Sequence, residues 1–455
     1  MQIRTHNLIV HTLNYINECD NTHLGQQAAL IAIEDLLNYS SELSNNRERF
    51  YQAIDLLQSC IQLHKLSGVN HAIEILKNII YDEPLTLKID FLILRQTHWG
   101  AIKPIADILI SNGYDVRIIP LPMIQETQDN MGLSLKNLIG NKYQIIDYDN
   151  YRIEEELPDI VFDDMAVDSA KMPEFRFLRI KSMVDATVHI EHSILTGYNE
   201  AMKRSYLRIG RTCAWIYLVP SPLFKTALPL VMRLDGKIID VGCPEMDTIF
   251  HLKSAQKSTK RTILWNIDAQ DPEHELPGDK ERLEKELCFL KQSAILYPNI
   301  DMIVRTHPNF ENQDKCKILN QKLKCLIEKY PNIKKDYNKV IYDTYCEVDA
   351  MVTWMSSTTM LTFAATGKPL ILLPTFIQNG YDTILDMYLL HQFPIGYTQK
   401  HIQDFIENID NNQHKNKRLK VLENYVGPLD GTACFKIVDR VINEYEKTFN
   451  RYNIR

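Results

Sequence analysis

The sequence predicts an α/β protein of two Rossmann-like halves, each a doubly wound parallel sheet, facing one another across a cleft and preceded by a helical extension. Three observations predict it. A strand–helix–glycine–strand pattern occurs twice, in "LKIDFLILRQTHWGAIKPIADILISNGYDVRIIPLP" and in "DAMVTWMSSTTMLTFAATGKPLILLPT", and such β-α-β units imply parallel sheets. The polar, Lys-rich run "HLKSAQKSTKR" between them reads as a linker. Before the first unit, apolar residues recur at helical spacing.

Taken in order, residues 1–83 are the helical region. "GQQAALIAIEDLLNYSSEL" places Ala29, Ile31, Ile33, Leu36 and Leu37 on one stripe, and two further stretches repeat the pattern, giving two or three helices. They cap the protein or bind a partner. Residues 84–250 form the first sheet domain: a strand at Ile89–Leu94, a loop at Arg95–Gly100, a helix at Ile102–Ser111, a cap at Gly113 and a strand at Val116–Pro120. "DIVFDDMA", "DATVHIEHSI" and "TCAWIYLVPS" supply further strands, and Asp163-Asp164 reads as a strand-end turn. Residues 251–455 form the second sheet domain with its C-terminal helices. Its strands are "TILWNID", "IDMIVRTHP", the short "KVIYD", "DAMVTW" and "KPLILLP", with helices near 279–295 and 312–329. Two such halves and a linker describe the GT-B architecture.

Composition removes several classes. A formal charge of −7 over 455 residues gives no general footprint for nucleic acid. Nine scattered cysteines, none in a C-x-x-C pair, suit reduced thiols in a cytoplasmic protein and give no zinc spacing. The N-terminus lacks the apolar core of a secretory peptide, and no run reaches the roughly 18 apolar residues of a membrane span. There is no G-x-x-x-x-G-K-[ST] loop. No Asp-x-Asp is expected at a strand end, so no metal or other cofactor is expected.

Four places carry chemistry. In "TVHIEHSI" the strand ends at His192, a residue type able to take a proton from a hydroxyl, while Glu191 alternates with it and faces away. His189 or His192 serves equally as a core histidine. In "MIVRTHPNF", Arg305 and His307 are two apart and share a face of extended chain, as a grip on two diphosphate oxygens requires; a structural ion pair is the other account of Arg305. In "VTWMSSTTMLTF", Ser356, Ser357, Thr358 and Thr359 crowd a strand-to-helix turn, where hydroxyls and free N–H groups bind anions, although one serine alone serves as a helix cap. "VGCPEMDTIF" reads on spacing as a turn and a helix start.

In their order, "HIEHSI", "VGCPEMD", "ILWNID", "VRTHP", "VTWMSSTTMLTFAATGKPLILL" and "GPLDGTACFKIVDRV" resemble the blocks of the CDP-glycerol glycerophosphotransferase family, the teichoic-acid and capsule polymerases and primases of bacteria. The resemblance covers roughly residues 185–445. It implies a base at His192, a donor-diphosphate clamp at Arg305 and His307, donor-phosphate serines at Ser356 and Ser357 with Thr358 beside them, and a late acidic-glycine block at Asp430 and Gly431. Three positions depart from the family pattern: His192 is followed by Ser193-Ile194 instead of Gly-Thr, Trp354 replaces an aspartate, and Glu245 replaces an arginine.

What the resemblance implies is transfer of glycerol phosphate or a similar polyol phosphate from a CDP-activated donor to a glycan or polyol-phosphate acceptor, with release of CMP and without metal. A lipid-linked acceptor would bring the protein to the inner face of the membrane, although the Lys-rich linker reads more simply as solvated. The alternatives are a GT-B glycosyltransferase using a nucleotide sugar and a non-catalytic protein working through its N-terminal helices.

Overall fold

Parallel strands buried on both faces read as unbroken apolar runs, and the first strand shows why. Ile89, Phe91 and Ile93 pack into one core while Leu92 packs into a second core on the opposite face. The computed structural model describes residues 3–19, 22–43, 46–81, 86–94, 98–122, 139, 142–164, 168–184, 186–191, 207–228, 232, 237–252, 260–267, 279–306, 317–338, 340–354, 358–373, 394, 396, 398–412 and 415–449.

The first sheet has strands β1 (Lys88–Ile93), β2 (Asp115–Pro120), β3 (Gln144–Ile145), β4 (Ile160–Asp163), β5 (Ala186–Ile190), β6 (Ile216–Val219) and β7 (Ile238–Asp240), in the order β3-β2-β1-β4-β5-β6-β7. The second has β8 (Thr262–Ile267), β9 (Asp301–Thr306), β10 (Ile333–Lys335), β11 (Ala350–Trp354) and β12 (Leu370–Leu373), in the order β10-β9-β8-β11-β12. Every strand pairing among the described residues is parallel. In both sheets the chain winds outward on one side of the first strand and then on the other. Each therefore has a switch point, beside β1/β4 and β8/β11, where ligands bind at the carboxyl ends. The two-half fold expected from the sequence is the fold observed, and it is of the GT-B class.

Four differences have physical causes. The N-terminal region holds four helices, Ile3–Glu18, His23–Asn38, Arg47–Gln62 and Leu66–Tyr81, around a core of their own. Ile31 is 62% exposed, because the buried stripe runs through Ala29, Ala32, Ile33 and Leu36 at a true helical period. "KVIYD" is not a strand: Ile341–Glu347 is a helix, and the edge strand is β10. Its aromatic content suits a strand, but Tyr342 and Tyr345 are both buried three residues apart, and Tyr345 packs edge-on against Phe363 at 5.1 Å.

The fourth concerns the division at residue 250. The chain leaves the first half through the Pro244–Phe250 helix, whose Cys243, Met246 and Ile249 are buried in the second half's core with Leu264, Met351 and Phe363. It returns at the end: the Ala433–Phe449 helix, expected in the second half, buries Ile437, Val438, Val441 and Tyr445 in the core of the first sheet. Asp247 fixes this return by accepting the first free N–H groups of that helix, from Ala433 at 3.1 Å and Cys434 at 2.7 Å. The residue read as part of a simple turn thus joins the two crossings. Among the described residues no helix is long and apolar enough to cross a membrane.

Candidate functional site

Register places the second half's candidate site residues side by side. Arg305 on β9 pairs with Asn266 on β8, and Asn266 pairs with Thr353 on β11. Asn266 Nδ2 also donates to Thr353 Oγ1 at 3.0 Å. With strands about 4.8 Å apart, the ends of β9 and β11 are about 10 Å apart along one edge. The Thr358–Ala365 helix starts just beyond β11.

Arg305 is held by one edge. Its Nη1 donates to Asp336 Oδ2 at 2.6 Å and to the Asn338 carbonyl at 3.0 Å. Buried Asp336 in turn accepts from the Thr344 hydroxyl at 2.7 Å and from the Asn338 N–H at 3.0 Å. The arginine is 24% exposed, and its Nε and Nη2 have no acceptor among the described residues. A guanidinium fixed this way keeps one planar edge aimed for a phosphate. The structural ion pair expected as the other account of Arg305 is thus present, and it leaves donors to spare.

The Ile341–Glu347 helix ties this grip to its surroundings. Thr344 reaches Asp336, while the Tyr345 hydroxyl donates to the Thr359 carbonyl at 3.1 Å and lies 2.7 Å from the Thr362 hydroxyl. Tyr342 meets the first half at Gly100, where an added Cβ would come within 2.5 Å of its ring. Gly100 is fixed from another side too. Pro104, inside the Trp99–Ser111 helix, has no N–H for the Gly100 carbonyl, and the Thr248 hydroxyl donates to it instead at 3.0 Å.

The first half's strand ends hold a different set. Asp164 accepts from the Leu94 N–H at 3.3 Å, and its Oδ2 lies 2.7 Å from His98 Nδ1. Asp163 is ion-paired with Lys171, both fully buried. Burial pushes the Asp163 carboxyl above its usual range, against the pull of the Lys171 ammonium. His189 is fully buried and its Nδ1 donates to the Asp163 carbonyl at 2.9 Å, which makes it a core histidine. Glu191 takes a two-pronged bond from Arg211 at 2.7 and 2.9 Å and a third from the Tyr217 hydroxyl.

Of the residues singled out in the sequence, His192, His307, Ser356 and Ser357 lie outside the described residues. Thr358 opens its helix as expected of the turn. Asp430 and Gly431 are joined by no hydrogen bond or ion pair to Arg305. Asp430 accepts from the Thr432 N–H at 3.0 Å and its hydroxyl at 2.6 Å, ahead of the last helix. Gly431, at φ +73°, has no room for a Cβ against Phe250. Asp163-Asp164 is not merely a turn but a pair of buried carboxylates, and an acidic pair closing an apolar strand at a switch point was the signal for it. One Asp-x-Asp does follow a strand: Asp147-Tyr148-Asp149 comes after the two-residue edge strand β3, too short to read from sequence. Among the described residues no three His, Cys, Asp or Glu side chains group as metal ligands.

No protein-family model and no curated protein matches the chain. Solved structures do match. A UDP-GlcNAc 2-epimerase from Neisseria meningitidis bound to UDP-GlcNAc superposes with a TM-score of 0.54 at 12% identity, over 78% of this chain and 100% of that one. The S. aureus MnaA–UDP complex gives 0.55 at 12%, over 80% and 97%. A variant of the wall teichoic acid polymerase TagF gives 0.53 at 10%, over 89% and 99%. At such identities the likeness shows the fold.

Proposed function

We propose that the protein transfers a phospho-alcohol, glycerol phosphate or a similar polyol phosphate, from a CDP-activated donor to a hydroxyl of a surface polymer or lipid-linked acceptor. The attacking oxygen bonds to the β-phosphorus, the bond to the bridging oxygen breaks, and CMP leaves. His192 takes the hydroxyl proton. Arg305 and His307, with Ser356, Ser357 and the start of the Thr358–Ala365 helix, offset the charge that grows on the diphosphate. Asp430 and Gly431 keep a supporting part, shaping the start of the last helix.

The observation that carries this reading is the half-committed guanidinium of Arg305, one edge tied to Asp336 and the other without an acceptor among the described residues, at the carboxyl end of β9 beside β8. The likeness to the teichoic acid polymerase supports the substrate class. A second reading, an enzyme acting on a nucleotide sugar, is favoured by the similar structures bound to UDP-GlcNAc or UDP, because the spare donors of Arg305 would suit the diphosphate of such a donor as well. Incubation of the purified protein with CDP-glycerol, and separately with a panel of nucleotide sugars, decides between them. CMP release with the CDP-alcohol alone is expected. Nucleoside diphosphate release or epimerisation with a sugar donor supports the second reading, and no turnover with any donor removes both.

A further inference from the structure

The turn that carries Asp147-Tyr148-Asp149 has no part in the steps above, yet it forms one wall of a cavity of about 260 Å³ in the first half. The opposite wall is the single turn Pro173–Phe175 and the Phe177–Lys181 helix. Tyr151, Ile153, Phe175 and Ile180 line the cavity and belong to the core that holds Leu92, with the Tyr151 and Phe175 rings stacked at 6.1 Å. Half-buried Tyr148 and the exposed Asp149, Arg152 and Glu174 stand around them. The Asn150 N–H donates to the Asp147 carbonyl at 2.9 Å, and Arg152 Nη1 donates back to the Asp149 and Tyr151 carbonyls at 2.9 and 3.0 Å. Beneath this turn the Tyr151 hydroxyl donates to Asp90 Oδ2 at 2.5 Å, and fully buried Asp90 takes both prongs of Arg117 at 2.7 and 2.6 Å. A wall held this way is ordered before a ligand arrives. Asp90 lies four residues before Leu94, whose N–H Asp164 accepts, so this floor sits about 13 Å back along the strand from the carboxyl edge.

We propose that this cavity is a glycan subsite that holds one neutral sugar ring, apart from the donor grip and independent of the phospho-transfer reading. Its volume falls just under the roughly 300–1,000 Å³ of drug-sized sites, which suits a single ring. A sugar offers C–H faces to aromatic surface and hydroxyls that both donate and accept. Tyr148, Tyr151 and Phe175 supply the surface, Asp149 and Glu174 the acceptors, and Arg152 the donors. Among the described residues the Tyr148 hydroxyl and the Asp149 and Glu174 carboxylates have no partner, and Arg152 Nε and Nη2 have no acceptor. An anionic ligand suits the cavity poorly: Asp149, Glu154 and Glu174 outnumber Arg152 and Arg179, and Arg179 is already ion-paired with Glu154. A metal ion does not suit it either, since among the described residues no three His, Cys, Asp or Glu side chains group as ligands. A wholly apolar ligand would strip water from the charged rim and return no hydrogen bond. Under the phospho-transfer reading the ring is a unit of the acceptor, held behind the end that reacts.

The test is saturation-transfer NMR on the full chain with the methyl β-glycosides of glucose, galactose and N-acetylglucosamine, one at a time. At least one should bind in about the millimolar range, as a ligand of that size does, with transfer to its ring C–H protons. Tyr148→Ala should weaken that binding by about three- to tenfold, the worth of one aromatic contact. Glu174→Ala, whose exposed side chain lies outside the core, should weaken it by about threefold. Added CDP should leave it unchanged. No transfer to any of the three glycosides overturns the proposal, as does binding that either variant leaves unchanged. Displacement by CDP overturns it too, because the sugar would then sit in the donor cleft. Inorganic phosphate is the control probe: competition with the bound glycoside would make the cavity an anion site and overturn its assignment to a neutral ring. Turnover of CDP-glycerol enters none of these readouts, so the failure of either reading leaves the other standing.

Discussion

The two sheets end in opposite electrostatic states. At the first sheet's carboxyl edge the described charges are closed on one another: Asp163 with Lys171, Asp164 with His98, Glu191 with Arg211. At the second, Arg305 is tied by one nitrogen and keeps the rest of its fork. A closed edge shapes a cavity and orients whatever follows it, whereas an open one attracts an anion. Under the proposed function the donor belongs to the second half and the acceptor with its base to the first, so the two halves should be separable by mutation.

The largest expected effect splits binding from chemistry. His192→Ala should lower turnover of CDP-glycerol by about 10²–10⁴-fold, the usual worth of a general base, while calorimetry finds donor affinity within about twofold of wild type. Strong loss of donor binding would place His192 with the clamp and erase the contrast between the halves.

Next is the closed edge itself. Lys171→Met leaves Asp163 buried without its cation, at a cost of about 3–5 kcal/mol in urea unfolding. Without the ammonium the Asp163 pKa rises further, so the loss should be smaller at pH 5 than at pH 8: an acid raised in the folded state destabilises it as pH rises through the raised value. A pH-independent loss would mean that packing, not charge, is what Lys171 supplies.

How much of this was legible follows the same division. β1 to β2 and β11 to β12 could be read because each unit is a continuous apolar run, a helical stripe and a glycine, all within about thirty residues. Gly113 and Gly367 indeed stand at φ +85° and +71° after their helices. Arg305 could be read as a candidate from a cation at a strand end. Asp336 could not be read as its partner, nor Arg211 as that of Glu191, because one pair forms between the ends of neighbouring strands and the other between a strand end and the Ile209–Thr212 helix, and spacing along the chain does not encode them. The Ala433–Phe449 stripe announced a buried helix without saying which half buries it, and that choice was made by Asp247, 186 residues earlier. Tertiary packing likewise decided Ile341–Glu347 against its strand-like composition.

The open edge comes next in size. Arg305→Ala should weaken CDP-glycerol binding by about 30–100-fold, with urea stability changed by less than the Lys171 variant, since Arg305 is partly exposed and its partner Asp336 keeps the Thr344 and Asn338 bonds. An Arg305→Ala protein that binds the donor normally would show this edge to be as closed as the first.

The smallest effect concerns the joint between the two edges. Thr248→Val removes the one hydroxyl that, among the described residues, donates to the Gly100 carbonyl, and Pro104 offers no N–H in its place. A half-buried carbonyl left without this donor costs about 1 kcal/mol, readable as a shift of the urea midpoint at unchanged slope. The second substitution sharpens the cause. In Thr248→Val, changing Pro104→Ala supplies a helical N–H four residues after Gly100, and the lost stability should return. If the double variant stays as weak as the single one, Thr248 acts through packing against the Trp99–Ser111 helix. The proline would then not be the reason that the first half borrows a hydrogen bond from the crossing helix.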